Sequence, residues 1–227
     1  MKNSFLSLLF LLVVSVVTFS CAERKEGAHD DADNGNDNEQ ECVEQQQEEI
    51  EVIVVDANYT FEEALAGTKA PKSVIDELVL FDVRYISTDN IIHQGQIMCN
   101  RRIADDIRHM FNFMMNNGFM VQKVIPAVRY GWSDSLSMAN NNSYSFNYRN
   151  ITYSKHAQGM AIDINPMQNP LRWKNVDKPN QPLNAVLDST VNGTLFPGHA
   201  VVNEFRRLGF RWGHTFSKYY DDHHFEK

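Results

Sequence analysis

Apolar residues follow several different spacings along the chain, and each spacing predicts a different element. The stretch from Leu78 to Ile86 is almost continuously apolar, which is typical of a buried strand, and a second strand is predicted at 91–99. Between 103 and 117 the apolar residues recur every three or four positions, which predicts a helix with one buried face, closed by Gly118 in a left-handed cap. Shorter elements are predicted as helices at 61–65, 73–78 and 201–208, and as strands at 121–128 and 209–213.

In the segment SKHAQGMAIDINP, at positions 154–166, apolar and polar residues alternate only in the second half. In its second half Asp163 falls on one face of an extended strand, and the isoleucines on either side of it fall on the other face. We therefore expect the isoleucines to face the core and Asp163 to face a cavity. His156 lies seven positions before Asp163 and reaches the same place only if the chain turns between them, and Gly159 can supply that turn.

One imidazole and one carboxylate do not make a metal site, and such a pair is more often structural unless a third donor joins it. The last seven residues, DDHHFEK, supply candidate donors in Asp221, Asp222, His223 and His224. Catalytic zinc takes three protein ligands of these types and leaves a fourth position for water, and a carboxylate beside it can take a proton from that water. Neighbours on a strand face opposite ways, so the two histidines are not expected to bind one ion together.

The first residues have the pattern of an export signal. Residues 5–19 are apolar except for serines and a threonine, which is short for a membrane span of about 20 residues but suits the core of a signal peptide. A small residue, Ser20, precedes Cys21, as at a bacterial lipoprotein cleavage site. We expect residues 1–21 to be a signal peptide that ends at a lipidated Cys21, which anchors the protein to a membrane. Ordinary secretion is the alternative.

Residues 22–51 differ in composition from the rest of the chain. They contain twelve acidic and two basic residues, a net charge of −10, with almost no apolar surface to bury. Such a segment predicts a disordered, self-repelling tether. Because the whole chain carries −8 and Lys2 adds one positive charge, the domain at 52–227 carries about +1. Nothing in this charge pattern indicates a nucleic-acid partner.

Cysteine use leaves one question open. The chain has three cysteines, Cys21, Cys42 and Cys99, and none has the spacing of a metal site. With Cys21 lipidated, the other two either form a disulfide in an oxidising compartment or remain free thiols.

Several separated motifs resemble one family in the right order. The zinc peptidoglycan peptidases of the D-alanyl-D-alanine carboxypeptidase type (VanY-like enzymes and phage L-alanyl-D-glutamate endopeptidases) share SxHxxGxAxDI, GFxWG and DxxHFE. Here these motifs read SKHAQGMAIDI, GFRWG at 209–213 and DDHHFE at 221–226. A subgroup also has the Ser-Met pair, Asn-rich stretch and FNYR found here within 137–149, and the Asn-Pro pairs found at 165–166 and 169–170. The likeness runs from about residue 60 to the end of the chain.

The resemblance implies a fold and a set of site residues. The fold is a small α+β domain whose antiparallel sheet carries the metal ligands, with helices packed on the other face. One Zn²⁺ ion would be held by His156, Asp163 and His224, with Asp221 as the general base. Arg129, which read alone is a surface arginine, would stabilise the oxyanion or hold a carboxylate of the substrate.

Two further predictions concern the surroundings of this site. The polar segment 131–152 is expected to form a wall of the cleft, because long irregular segments of this kind are functional or disordered. Ser154 either hydrogen-bonds the substrate or braces the loop. His214 stands where many relatives have a glycine, and a structural role is favoured over an approach to the metal.

The implied activity is hydrolysis of peptide bonds in peptidoglycan stem peptides, at the cell envelope of a bacterium. One alternative is a peptidoglycan-binding lipoprotein without activity, and another is a zinc peptidase that acts on other peptides. The sequence leaves open which bond is cut, the oligomeric state and the membrane leaflet. Zinc is favoured, although sites with two histidines and an aspartate also accept other divalent ions.

Overall fold

The computed structural model describes residues 15–16, 49–50, 52–149, 151 and 153–227. Strands β1 (Ser15–Val16) and β2 (Glu49–Ile50) form an antiparallel pair, and residues 53–227 are grouped in a separate unit. Apart from these two strands, the predicted signal peptide, lipidated Cys21 and tether lie outside the described residues, as does Cys42. Within the described part of the chain, no helix is long and apolar enough to cross a membrane.

The first half of the domain is built on a long hairpin. Strands β4 (Leu78–Ile86) and β5 (Ile92–Asn100) pair antiparallel along their whole length, and β3 (Ile53–Val55) adds to β5 in parallel. Helices α1 (Phe61–Ala64) and α2 (Lys72–Ile75) precede the hairpin. The predicted strand at 78–86 is confirmed, and the one at 91–99 is displaced by one residue.

Helix α3 (Ala104–Asn116) covers this hairpin and forms the centre of the core. Its apolar face, with Ile107, Met110, Phe111 and Met114, is almost completely buried, as the spacing predicts, so these methionines are core residues. Gly118 then takes a left-handed conformation with φ +65°. Cys99, on β5, packs into the same core as a free thiol, and burial raises its pKa to about 12.

Residues 121–128 do not form the predicted strand. They make one isolated bridge, between Val124 and Ser143, and then a 3-10 turn at Ala127–Tyr130. Pro126 has no backbone N–H to give to a ladder, and the N–H of Ile125 is taken by the side chain of Asn142. The segment predicted as a loop contains a short helix, α4 (Asp134–Ala139), whose first turn is capped by Ser133.

The second half of the domain holds a smaller sheet. Strand β10 (His224–Glu226) lies between β6 (Ala161–Asp163) and β8 (Arg211–Trp212), antiparallel to both. The remaining elements are β7 (Leu171–Trp173), which pairs antiparallel with β9 (Tyr219–Asp221), and helix α5 (Ala200–Arg207).

One face of this smaller sheet packs against α5. The ring of Phe225 on β10 stacks on that of Phe205 from α5, with centroids 4.0 Å apart. Ile162 on β6 is fully buried in the same core. The domain is therefore α+β, as predicted, and every strand pair within residues 53–227 except β3–β5 is antiparallel.

Candidate metal centre

Two of the three predicted ligands lie directly opposite each other on paired strands. Asp163 ends β6 and His224 begins β10, and the two residues are partners in the antiparallel register. Side chains alternate across a strand, so burial of Ile162 and Phe225 in the core sends Asp163 and His224 to the opposite face. Both side chains are nonetheless buried.

The third residue, His156, reaches the same point from a 3-10 turn at His156–Gln158 rather than from a strand. The turn closes at Gly159, whose φ of +66° is the left-handed conformation that favours glycine. A Cβ atom at this position would lie 2.7 Å from the backbone nitrogen of Asn100. The turn inferred from the sequence is confirmed, and close packing against β5 adds a second reason for the glycine.

The three side chains present one donor atom each to a common point. His156 Nε2 lies 3.1 Å from Asp163 Oδ1 and 3.0 Å from His224 Nδ1, and His224 Nδ1 lies 3.0 Å from Asp163 Oδ1. Around a tetrahedral zinc ion with bonds of about 2.0–2.1 Å, neighbouring ligand atoms are about 3.3 Å apart. Two imidazole nitrogens and one carboxylate oxygen, already converged to nearly this spacing, fit a divalent metal ion.

Hydrogen bonds on the far side of each imidazole fix which nitrogen faces the cluster. His156 Nδ1 donates to the carbonyl oxygen of Ser145 at 2.6 Å, which leaves Nε2 for the cluster. His224 Nε2 lies 3.1 Å from Glu226 Oε2, which leaves Nδ1. Arg211 Nε in turn donates to Glu226 at 2.8 Å. Such outer partners orient metal-binding histidines and raise their basicity.

Sequence reasoning did not find Glu226. The available signal was its place two residues after His224 on a strand, which puts both side chains on one face.

The charges within the metal-free cluster are strongly coupled. Burial alone would raise the pKa of Asp163, but the charges of His156 and His223 and hydrogen bonds from His156 and His224 hold it well below its usual range. Burial lowers the pKa of His224, but its hydrogen bonds with Asp163 and Glu226 outweigh this and raise it to about 9. The site is therefore an anionic carboxylate enclosed by imidazoles.

The cluster opens into a cavity of about 310 Å³, which Asp221 also lines. Oδ1 of Asp221 is buried. It forms an ion pair with His223 Nε2 at 2.9 Å. A buried, ionised carboxylate that lines the same cavity as the cluster is suited to accept a proton.

His223 is a second residue whose position the sequence did not reveal. It lies outside the three-atom cluster, as expected from alternation, yet it is buried beside it and its Nδ1 donates to the carbonyl oxygen of Asn169 at 2.7 Å. Its Nε2 lies between Asp221 and the second oxygen of Asp163, 3.9 Å away. Burial lowers the pKa of His223, but the charges of Asp221 and Asp163 outweigh this and raise it to about 10. A positive charge on His223 favours the ionised form of both aspartates.

The structure does not bring Arg129 to this cavity. Arg129 is exposed on the 3-10 turn and is not among the lining residues. Arg149, from the FNYR motif, lines the cavity instead, where Asp134 accepts a hydrogen bond from it at 2.8 Å and the Tyr144 hydroxyl another at 3.3 Å. The segment 131–152 thus contributes to a wall of the cavity.

Ser154 and His214, which the sequence also indicates near the site, each make specific contacts. Ser154 lines the cavity and its Oγ accepts a 3.4 Å hydrogen bond from the N–H of Ala157, so it braces the turn while facing the open space. His214 Nδ1 lies 2.6 Å from Oδ1 of buried Asp222, and its ring stacks on Trp212. These contacts of His214 are structural, as favoured from the sequence.

No curated protein and no solved structure matches the chain significantly. A family model described as D-alanyl-D-alanine carboxypeptidase matches residues 149–227, a range that contains Arg149, Asp221 and the three cluster residues. This match confirms the resemblance to the VanY-like D-alanyl-D-alanine carboxypeptidase family over residues 149–227, and the likeness from about residue 60 to 148 stays a prediction.

Proposed function

We propose that this protein is a zinc-dependent hydrolase of peptide bonds in peptidoglycan stem peptides. The family match supports a peptidase of the cell wall. The observation that carries the proposal is the convergence of three donor atoms at 3.0–3.1 Å beside a cavity that the Asp221 carboxylate also lines. A non-catalytic binding protein would not need that carboxylate.

The proposed metal ligands are His156, Asp163 and His224. A bound zinc ion would supply a Lewis acid and lower the pKa of a water molecule toward about 7. The remaining steps belong to the protein. Oδ1 of Asp221 accepts the proton of the attacking water and delivers it to the leaving amine, and His223 keeps Asp221 ionised for the first of these steps.

We assign the role proposed for Arg129 to Arg149. The guanidinium of Arg149 lines the same cavity as the cluster and is held in place by Asp134 and Tyr144. A fixed guanidinium donates hydrogen bonds to a developing oxyanion or to a carboxylate without reorganising.

The cellular setting is part of the same proposal. A lipidated Cys21 and an acidic tether at 22–51 would hold the peptidase domain at a bacterial membrane, within reach of the wall. This rests on the apolar run at 5–19 and on the net charge of −10 in the tether.

The test is mass spectrometry of muropeptides after incubation with the full-length protein, with a chelator, and with zinc restored. We expect cleavage that the chelator abolishes and zinc restores. Loss of one terminal alanine identifies a D,D-carboxypeptidase, and a cut after the first alanine of the stem identifies an L-alanyl-D-glutamate endopeptidase. No product from zinc-loaded protein would instead favour the binding protein.

The matched variants are Asp221→Asn and Asp105→Asn. Asp105 has a fully exposed side chain, so its substitution should leave the rate unchanged. Asp221→Asn keeps the shape but cannot accept the proton, and we expect the rate to fall about 10²- to 10⁴-fold while zinc content stays the same. Full activity in Asp221→Asn would disprove the mechanism.

A further inference from the structure

The proposed base and two of the proposed metal ligands are carried by different sheets. Asp221 ends β9, which pairs with β7, whereas Asp163 and His224 lie on β6 and β10 of the three-stranded sheet. A turn of two residues, at 222–223, joins β9 to β10. The position of the base relative to the cluster therefore depends on how the two sheets are held together at this turn.

The carboxylate of Asp222 is buried at this turn and is bonded through both of its oxygens. The residue is only 1% exposed. Oδ2 accepts a hydrogen bond from Arg172 Nε at 2.9 Å and lies 2.8 Å from Arg172 Nη2. Oδ1 accepts a hydrogen bond from His214 Nδ1 at 2.6 Å. A buried carboxylate that lost such partners would be strongly destabilised, so these contacts fix the place of Asp222.

The two partners of Asp222 come from different sheets. Arg172 lies on β7, in the same sheet as the base. His214 lies in a 3-10 turn, Gly213–Thr215, which directly follows β8 of the three-stranded sheet. Asp222 with Arg172 and His214, here called the Asp222 clamp, therefore ties the two sheets together at the point where the chain passes from one to the other.

The 3-10 turn that carries His214 also packs directly on the base. A Cβ atom at Gly213 would lie 2.7 Å from the carbonyl oxygen of Asp221 and 3.1 Å from Cβ of His224. Because such close packing leaves no gap to absorb a movement, a displacement of this turn would also displace Asp221. The residues of the Asp222 clamp are not among the described residues that line the cluster cavity. Any effect of the clamp on the reaction is therefore exerted through Asp221 and its neighbours.

We propose that Asp222 is a positioning residue for the base Asp221, held in that role by Arg172 and His214. The inference rests on the proposed function and extends it to residues outside the cavity. The clamp keeps the carboxylate of Asp221 at the distance from the cluster that proton transfer requires. A misplacement of about 1 Å at a reacting group lowers a rate on the order of 100-fold, so a clamp of this kind affects kcat.

The test is a double-mutant cycle between Asp222 and Asp221, with kcat measured on muropeptides and zinc content measured in each variant. We expect Asp222→Asn to lower kcat about 10- to 100-fold at unchanged zinc content, because the amide keeps the shape but loses the charge that pairs with Arg172. In the Asp221→Asn background the same substitution should change kcat by less than about two-fold, since no base remains to be positioned. Equal losses in the two backgrounds, or an unchanged kcat in Asp222→Asn, would overturn the proposal. Loss of zinc from Asp222→Asn would overturn it too, because the turn would then serve the ligand His224 rather than the base.

His214 provides a milder second arm, which decides the question if Asp222→Asn does not fold. The side chain of His214 is 23% exposed. Asparagine places an amide N–H near the position of Nδ1 and so keeps a donor for Asp222, whereas leucine does not. We expect His214→Leu to lower kcat about 10-fold and His214→Asn to recover most of that loss, with KM unchanged in both. The control is Asp76→Asn, at an exposed aspartate paired with Lys72, which should leave kcat unchanged. A kcat in His214→Leu equal to that of the natural protein would contradict the proposal.

The clamp and the hydrolase proposal can fail separately. If no muropeptide is cut, the hydrolase proposal fails, and hydrogen exchange of the zinc-loaded full-length protein still tests the clamp. Faster exchange over residues 219–224 in Asp222→Asn and His214→Leu, with helix α3 unchanged, supports a clamp that holds this turn. Exchange at the natural rate in both variants overturns it.

Discussion

At the scale of single residues, the candidate centre depends on atoms that would not touch the metal. The carbonyl oxygen of Ser145 and the carboxylate of Glu226 each hold the far nitrogen of one imidazole. Arg211 holds Glu226 in turn. These bonds keep the donor atoms converged, so their loss should weaken the metal site without removing a ligand.

Glu226→Gln tests this directly. An amide is neutral and is a weaker acceptor for the N–H of His224, so we expect zinc affinity to fall about 10- to 100-fold. Titration with a competing chelator measures the change. Glu77→Gln, at an exposed glutamate near Arg101, is the control and should leave the affinity unchanged. Unaltered affinity in Glu226→Gln would show that His224 does not rely on this carboxylate.

Substitution of Arg149 and substitution of Arg129 are expected to have different effects on kcat/KM. Because Arg149 lines the cavity and Arg129 is exposed elsewhere, we expect Arg149→Ala to lower kcat/KM on the order of 100-fold. Arg129→Ala should change it by less than about two-fold, as is usual for an exposed residue. Steady-state kinetics on the same muropeptide, with circular dichroism to verify folding, decides between them. The reverse ranking would return the role to Arg129.

At the scale of elements, the turn between His156 and β6 sets the approach of one proposed ligand. Gly159 combines a positive φ with close packing on Asn100 and Leu78 from the long hairpin. Gly118 has nearly the same φ, but a Cβ atom there would meet nothing within 4 Å. Substitutions at these two glycines therefore distinguish the cost of a left-handed backbone from the cost of steric overlap.

Gly159→Ala and Gly118→Ala form a matched pair. We expect Gly118→Ala to lower the free energy of unfolding by about 1 kcal/mol, from the left-handed backbone alone. Gly159→Ala should lower it by about 1–3 kcal/mol more, because the hairpin must shift to admit the methyl group. Urea unfolding with unchanged m-values measures both. Equal losses would mean that packing at Gly159 contributes nothing.

The elements that the sequence predicts well are those with a strong local signal. Helix α3 and strand β4 have long apolar patterns that follow a single period, and their bounds lie within one residue of the prediction. The short helix α4 has a polar sequence and is held by its Ser133 cap and by contacts of Asn142 with Ser137. The apolar run at 121–128 resembles a strand, but its N–H groups bond to side chains and isolated partners. Local spacing carries no information on such long-range contacts.

At the scale of the whole molecule, the candidate centre also contains residues that a local motif predicts and residues that only the fold brings into place. His156, Asp163 and His224 are found from motifs, because each motif is short and fixes its own donor. Arg149, His223 and Glu226 acquire their positions from partners far away in sequence or from the fold of the cavity. Asp134 with Arg149 and Arg211 with Glu226 are such pairs. A sequence without its fold does not show which arginine faces the cavity.

The long sequence separation between paired strands of the smaller sheet has a consequence for the time course of folding. Strands β4 and β5 meet after closing a loop at 87–91, whereas β6 and β10 are separated by residues 164–223. The longer loop costs about 2 kcal/mol more in chain entropy, and contacts distant in sequence form late. His156, Asp163 and His224 converge only when that loop has closed. The rate at which the protein binds a metal ion after transfer to refolding conditions would therefore report the last stage of folding.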